Sequence, residues 1–484
     1  MDQKAGAQIS TRAFIQSLLI LFLLMLAAGI LTRVIPTGSY TRIEEAGREL
    51  IDPATFQYTS PPNYPIWRWF TAPLETLWGP DGLTIIIILL FLLMIGSSFA
   101  ILDKSGLMKA ALARIVKAYA GRKYQLLWIV SLFFMTMGAF FGIFEEVVPL
   151  VPLMLGLSYF LGWDALVGLG MSILAVNMGF SAAITNPFTI GVAQNIAGLP
   201  LFSGAWFRVL IFITIYLVYT RFLTAYARKI EKEPQTSLVY VEDQAERAKY
   251  DRLEVETVSQ IAPTKMRRAM TWLAGCLLLV LLILILGPLM PEISSVSLPL
   301  VGLLFFIAGI GASFLSGATI PKIRQALLEG IGGIAPAIPL ILMAASIKHI
   351  VANGGILDTI LHNASQAFSQ ASPFVATLII YFLALFIEFF IGSGSAKAFL
   401  VMPIILPLAD LVGVTRQVAV TAYCFGDGFS NMVYPTNAVL LISLGLTTVG
   451  YSKWLRWTWR LWLGILLVTI IFLGIGVAIQ FGPF

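Results

Sequence analysis

The chain has 484 residues, of which 58% are hydrophobic and only 12% charged, and its net charge is +6. That balance places it among integral membrane proteins, and basic residues beside the apolar runs account for the charge without nucleic acid as a partner. Two cysteines, Cys276 and Cys424, both within apolar runs, suggest neither a disulfide framework nor a metal site.

Taken in order, the first apolar run, Phe14 to Ile35, is too long for a signal-peptide core and reads as a retained span. Further spans read cleanly at 82–102, 205–228, 267–289, 297–316, 332–351 and 456–481, each near the ~20 residues a helix needs. Charge sets their direction. Lys4 and Arg12 put the amino terminus in the cytoplasm. Loop 36–80, with Glu44, Glu45, Glu49 and Asp52, is expected outside, and its Trp67 and Trp69 at the outer interface. Segment 103–123, with Lys104, Lys109, Arg114, Lys117, Arg122 and Lys123, belongs inside. So does loop 229–268, which reads as a flexible cytoplasmic linker. Trp454, Trp457, Trp459 and Trp462 are expected to anchor the inner interface.

Four apolar stretches, 124–141, 147–161, 373–391 and 398–411, are ambiguous. The first two flank GIFEEV, a tight turn carrying Glu145 and Glu146 without a basic residue. Such a turn reads as the tip of a re-entrant hairpin lining a wet cavity; two ordinary spans with an external acidic turn is the alternative. The other pair flanks GSGSAKAF, where Gly392, Gly394, Ser393 and Ser395 make a small, permissive tip.

A repeat organises these pieces. GFSAAITNPFTIGVAQ at Gly179 is echoed by GFSNMVYPTNAVLL at Gly428, and each copy interrupts a membrane-length apolar stretch with Pro, Asn and Thr. Pro152 has a counterpart in Pro403, and KSGLMKAALARI at Lys104 in NGGILDTILHNA at Asn353. One crossing, 267–289, separates the halves and gives them opposite orientation. The expected fold is an all-α polytopic membrane protein, an inverted-topology repeat with about nine transmembrane helices, two re-entrant hairpins and two broken helices. Residues 1–228 form the first repeat (hairpin 124–161, broken helix 165–195). Residues 229–296 are linker and connecting helix, and 297–484 the second repeat (hairpin 373–411, broken helix 415–442).

Paired broken helices point to a transporter's binding site, because half-helix starts offer N–H groups to anions and half-helix ends offer carbonyls to cations. Pro187 and Pro435 are expected to force the breaks, with Ser181, Thr185, Asn186, Ser430, Asn431, Thr436 and Asn437 as neutral ligands. Charges at membrane depth are expensive and mark function. Here they are Glu145, Glu146, Glu388, Lys397 and Asp427, and the repeat sets Glu146 opposite Lys397. Lys397 could bind substrate, stand in for a coupling cation, or neutralise Asp427 or Glu388. His349 and His362 read as surface residues. Gly426-Asp427-Gly428 hints at an aspartyl protease, but no second aspartate lies at comparable depth, so no enzyme is expected.

FGIFEEVVP at Phe141, GFSAAITNPF at Gly179 with VAQNIAGLP, DLVGVTRQV at Asp410 and FGDGFSNMVYPT at Phe425 carry a resemblance to YfcC-type members of the DcuC family of anaerobic dicarboxylate carriers. The resemblance runs over most of the chain. It implies the ion-transporter superfamily, with inverted repeats, often a homodimer, and elevator-like movement of the substrate domain. Both dicarboxylates and basic amino acids come with it as substrate classes. Adjacent Glu145 and Glu146 favour a substrate with a positive group. The expectation is a bacterial inner-membrane carrier exchanging arginine- or ornithine-type amino acids, with a proton- or sodium-coupled dicarboxylate carrier as the alternative. No cofactor is expected beyond a possible coupling ion, H+ or Na+.

Overall fold

The computed structural model describes residues 11–45, 48–107, 110, 119, 121–251, 263–286, 290–366, 368 and 371–482. Most of the basic segment 103–123, Lys109, Arg114 and Lys117 among it, lies outside them. The chain is an all-α, multi-pass membrane protein. Among the described residues, helices long and apolar enough to cross a membrane include Gly82–Lys104, Lys123–Phe141, Ala205–Lys232, Thr264–Ile283, Leu298–Ser316, Gly394–Leu411 and Tyr451–Ala478, joined by shorter apolar helices such as Ala165–Ser181 and Pro373–Glu388. Apolar side chains such as Leu83, Leu217 and Leu467 stay exposed on these helices, as a lipid-facing surface requires.

Each ambiguous pair forms a helix–turn–helix. Helix Lys123–Phe141 turns at 142–150 into Val151–Phe160, and Pro373–Glu388 turns into Gly394–Leu411. The first arm of each packs tightly on a broken helix. A Cβ on Gly179 would stand 1.8 Å from the Met135 carbonyl oxygen, and one on Gly426 would stand 2.4 Å from that of Tyr381. Glycine alone lets backbones approach this closely.

Three expectations need correction. The linker is not flexible throughout: helix Ala205–Lys232 runs on past the span, and Tyr240–Asp251 is helical. Trp454 and Trp457 are buried within the bundle, where their rings pack on each other, and only Trp459 of that cluster is largely exposed. In loop 36–80, Trp69 is buried and two short antiparallel ladders form, one pairing 42–45 with 48–51. Arg42 of this loop pairs with Asp358 at 2.8 Å, and Phe56 stacks on one face of the half-buried His362 at 3.9 Å between centroids.

Candidate substrate site

The two breaks are built alike. Helix Ala165–Ser181 ends, and after 182–186 the chain resumes as a helix at Pro187. The Asn186 side-chain oxygen caps that restart, accepting from the N–H groups of Phe188 at 2.9 Å and Thr189 at 3.3 Å. In the other half, helix Arg416–Phe429 ends and the chain resumes at Ala438. There Asn437 accepts from Val439 at 2.9 Å and Leu440 at 3.3 Å. Asparagine is a favoured N-cap and proline a favoured first helical residue, so Pro187 opens the second segment instead of ending the first. The asparagine amides differ. Asn437 donates its Nδ2 to Asn431 at 2.7 Å, whereas Asn186 Nδ2 finds no partner among the described residues.

Carbonyls freed by each break are met from the last helix of the same half. Arg208, the fourth residue of Ala205–Lys232, donates to Ile184 O of the break at 3.1–3.2 Å, and also to Phe202 O at 3.0 Å in the loop before its own helix. Trp454, the fourth residue of Tyr451–Ala478, donates to Met432 O at 2.7 Å, and Tyr451 donates to Val433 O at 2.6 Å. The breaks cross at the repeated Gly-Phe-Ser: a Cβ on Gly428 would lie 2.5 Å from Ser181 Oγ.

Beside this crossing, reached by Phe180, lies a cavity of about 890 Å³. Glu145, Glu146, Ser393, Ser395, Asn431, Thr436 and Asn437 line it. Glu145 is accessible, and the cavity is what it faces; Glu146 also accepts from Phe144 N at 3.3 Å. Gly142, in the left-handed region at φ +69°, turns the chain into this acidic tip; a Cβ there would collide with Asn186. Starts of helices 394–411 and 438–445 also face the cavity, through Gly394 and Ala438. The opposite wall holds Thr84, Ile88 and Phe91, then Lys348 and His349 towards the mouth.

Ser181, Thr185, Asn186, Lys397, Asp427 and Ser430 are not on the lining. Thr185 donates to Phe140 O at 3.0 Å, Ser181 to Asn177 O at 2.7 Å and Ser430 to Gly426 O at 3.0 Å, so these hydroxyls are used within the backbone frame. Lys397 is fully buried, as is Asp427, and Glu388 is 3% exposed. Lys397 Nζ donates to Glu388 and lies 2.7 Å from Asp427 Oδ1. The Asp427 contact is a close charge contact without hydrogen-bond direction. Fully buried and off the lining, Lys397 sets its one positive charge between the two acids and is not placed to touch a substrate in the cavity.

The mouth was not read from the sequence. Lys348 pairs there with Asp81 at 2.5 Å, and His349 Nε2 lies 3.4 Å from Glu75. Among the described lining residues Lys348 is the only Lys or Arg. The hydrogen bonds of Arg68, at 2.6 Å and longer, hold the Glu75 carboxyl below its usual range. Their apolar-helix setting gave no periodic signal for Lys348 and His349.

A polytopic helical chain with paired broken helices beside a cavity that carries the carboxylates of Glu145 and Glu146 is a membrane transporter of small molecules. The family model of the C4-dicarboxylate anaerobic carrier, DcuC, matches residues 14–478, and the chain belongs to that family. It is 30% identical over 474 residues to YfcC of Escherichia coli K12, which carries the name of a suggested basic amino acid antiporter; the match covers 91% of this chain and 92% of that one. It is 26% identical over 374 residues to an uncharacterised protein of Haemophilus influenzae, covering 76% of this chain and 71% of the other. Among solved structures, the YdaH transporter of Alcanivorax borkumensis aligns over 96% of this chain and 99% of its own, at 18% identity and a TM-score of 0.44.

Proposed function

We propose that this carrier exchanges small amino acids with a cationic side chain, of the arginine or ornithine type, across the inner membrane of a bacterium, with its amino terminus in the cytoplasm. The observation that carries the reading is the imbalance of charge at the cavity floor. Glu145 and Glu146 face the cavity, while the lysine of the second hairpin, Lys397, is committed to Glu388 and Asp427. A dicarboxylate entering that floor would meet two carboxylates and no available cation. An amino acid would present its side-chain cation to the glutamates. Its carboxylate would meet the helix starts at Gly394 and Ala438, where the helix dipole favours an anion.

In this reading Lys397 is a fixed cation in the second half, so exchange runs without sodium. The hairpins and broken helices form the moving body, sliding as an elevator against the wall of helices 82–104 and 337–353. The protein works as a homodimer, as its superfamily resemblance implies.

Counterflow in proteoliposomes tests this. Vesicles are loaded with unlabelled ornithine or, separately, succinate, and offered labelled arginine or fumarate in sodium-free buffer. Ornithine-driven arginine accumulation, abolished by Glu146→Gln, is expected. Fumarate exchange without arginine exchange refutes the reading and leaves the glutamates as proton carriers. Sodium-dependent arginine uptake that Lys397→Gln abolishes refutes the fixed cation.

A further inference from the structure

The segment between the two halves makes contacts that a passive linker does not need. After helix Ala205–Lys232 the chain turns at Pro234–Thr236, and Ser237 donates its hydroxyl to Asp164 Oδ2 at 2.7 Å. Helix Tyr240–Asp251 follows and inserts Asp243, which is fully buried. One oxygen of Asp243 accepts from Ala165 N at 2.7 Å, and the other accepts from the Thr448 hydroxyl. Ala165 begins the first broken helix, and Thr448 lies just beyond the last segment of the second. Next to Asp243, Glu242 pairs with Lys453 at the start of the final helix. A single linker residue thus bridges the ends of both broken helices that lie away from the cavity.

The bridge holds two buried acids at one helix start. Asp164 is fully buried and caps the same helix through Val167 N at 3.0 Å. Its other oxygen accepts from Tyr226 at 2.6 Å as well as from Ser237. From the helix packed beneath, Tyr159 also reaches Asp243. Every donor named is neutral, and the lysine of this strip, Lys453, is engaged by Glu242. A helix start compensates about half a charge, so two full charges there are more than it balances. Burial, with the repulsion of Asp164 added, outweighs the hydrogen bonds and pushes the Asp243 carboxyl up to about 6.

We propose that residues 233–251 are a proton-sensitive latch, in which Asp243 ties the far ends of the two broken helices together and grips more firmly when protonated. The sign follows from linkage. The carboxyl binds its proton more tightly in the latched state than when released, where it returns to its ordinary value of 3.8. The latch is therefore strongest in acid, weakens as pH rises between about 4 and 6, and stays weakened above that. Movement of the broken helices requires its release, whichever substrate is carried.

Amide hydrogen exchange on the purified full-length protein in lipid nanodiscs, corrected for intrinsic rates at each pH, tests the latch without any substrate. Peptides from 165–169 and 240–251 are expected to be at least about tenfold better protected at pH 5 than at pH 7.5, the effect of roughly one unit of carboxyl shift. Asp243→Asn should flatten that dependence. Thr448→Val keeps both acids but drops one tie, so protection should fall while the pH response remains. Protection that is independent of pH in the unaltered protein, or a full pH response in Asp243→Asn, overturns the proposal. Arginine counterflow has no part in this readout, so failure of the substrate reading and failure of the latch are separately visible.

Discussion

Replacing Lys397 with methionine keeps an unbranched side chain of similar length but removes the cation between Glu388 and Asp427. Both acids are buried, and Lys397 itself has no accessible surface. Breaking a buried ion pair by deleting one partner costs about 3–5 kcal/mol, because the other is left as an uncompensated buried charge. Here two acids are left, so the loss should fall at the upper end of that range. Replacing the whole group by neutral side chains, Lys397→Met with Glu388→Gln and Asp427→Asn, removes the stranded charges and should recover most of the loss, since neutral replacements of buried ion groups are often tolerated. Denaturant unfolding in detergent, followed by tryptophan fluorescence, measures both variants. A single variant within about 1 kcal/mol of the unaltered protein, or a triple variant no better than the single one, refutes the reasoning. Either result would mean that water or another cation reaches the group, and that Lys397 is free for substrate after all.

Three further outcomes follow from the geometry. Asn437→Ala removes the cap of the second restart and the partner of Asn431, and should cost about 0.5–2 kcal/mol in the same unfolding assay; Asn437→Ser, which can still cap, should lose less. Gly179→Ala forces a methyl group against the Met135 carbonyl and should lower the melting temperature clearly, whereas Gly464→Ala, with open space around it, should leave it unchanged. At the mouth, Glu75 is held below its ordinary pKa of 4.5, so its stabilisation is present above that value and is lost as pH falls through the lower folded value. Hydrogen exchange of residues 66–79, corrected for intrinsic rates at each pH, should rise on acidification for that reason, and an unchanged acid response in Glu75→Gln would assign it to another group.

Much of the architecture was legible because lipid imposes a simple rule: spans must be long, apolar and helical. The repeated Gly-Phe-Ser, the asparagines of the breaks (read as ligands, found as caps) and the acidic tip stood out for a related reason, since polar residues are conspicuous inside such runs. What stayed hidden depends on partners distant in sequence. Asp243 looks like any acid in a polar loop until it meets Ala165 and Thr448. Arg208 reads as a residue near a span end, yet it is buried and serves the Ile184 carbonyl of the first break. Trp454 and Trp457 match the composition of an interfacial belt, and only the fold turns them inward. Lys397 stands out in the sequence as a charge in a small-residue tip, but sequence could not choose among three roles that differ by a few ångströms.

The spacing of the buried charges along the chain bears on how the protein is made. Lys397 or Asp427 alone, at the centre of an inserting helix, costs about 2.5–3.5 kcal/mol. Glu388 and Lys397 are nine positions apart on the two arms of one hairpin, so they can neutralise each other as soon as that hairpin has left the ribosome. Asp427 emerges thirty residues after Lys397, on the helix that follows. The insertion machinery is therefore presented first with a neutral pair and later with one further carboxylate, never with all three charges at once.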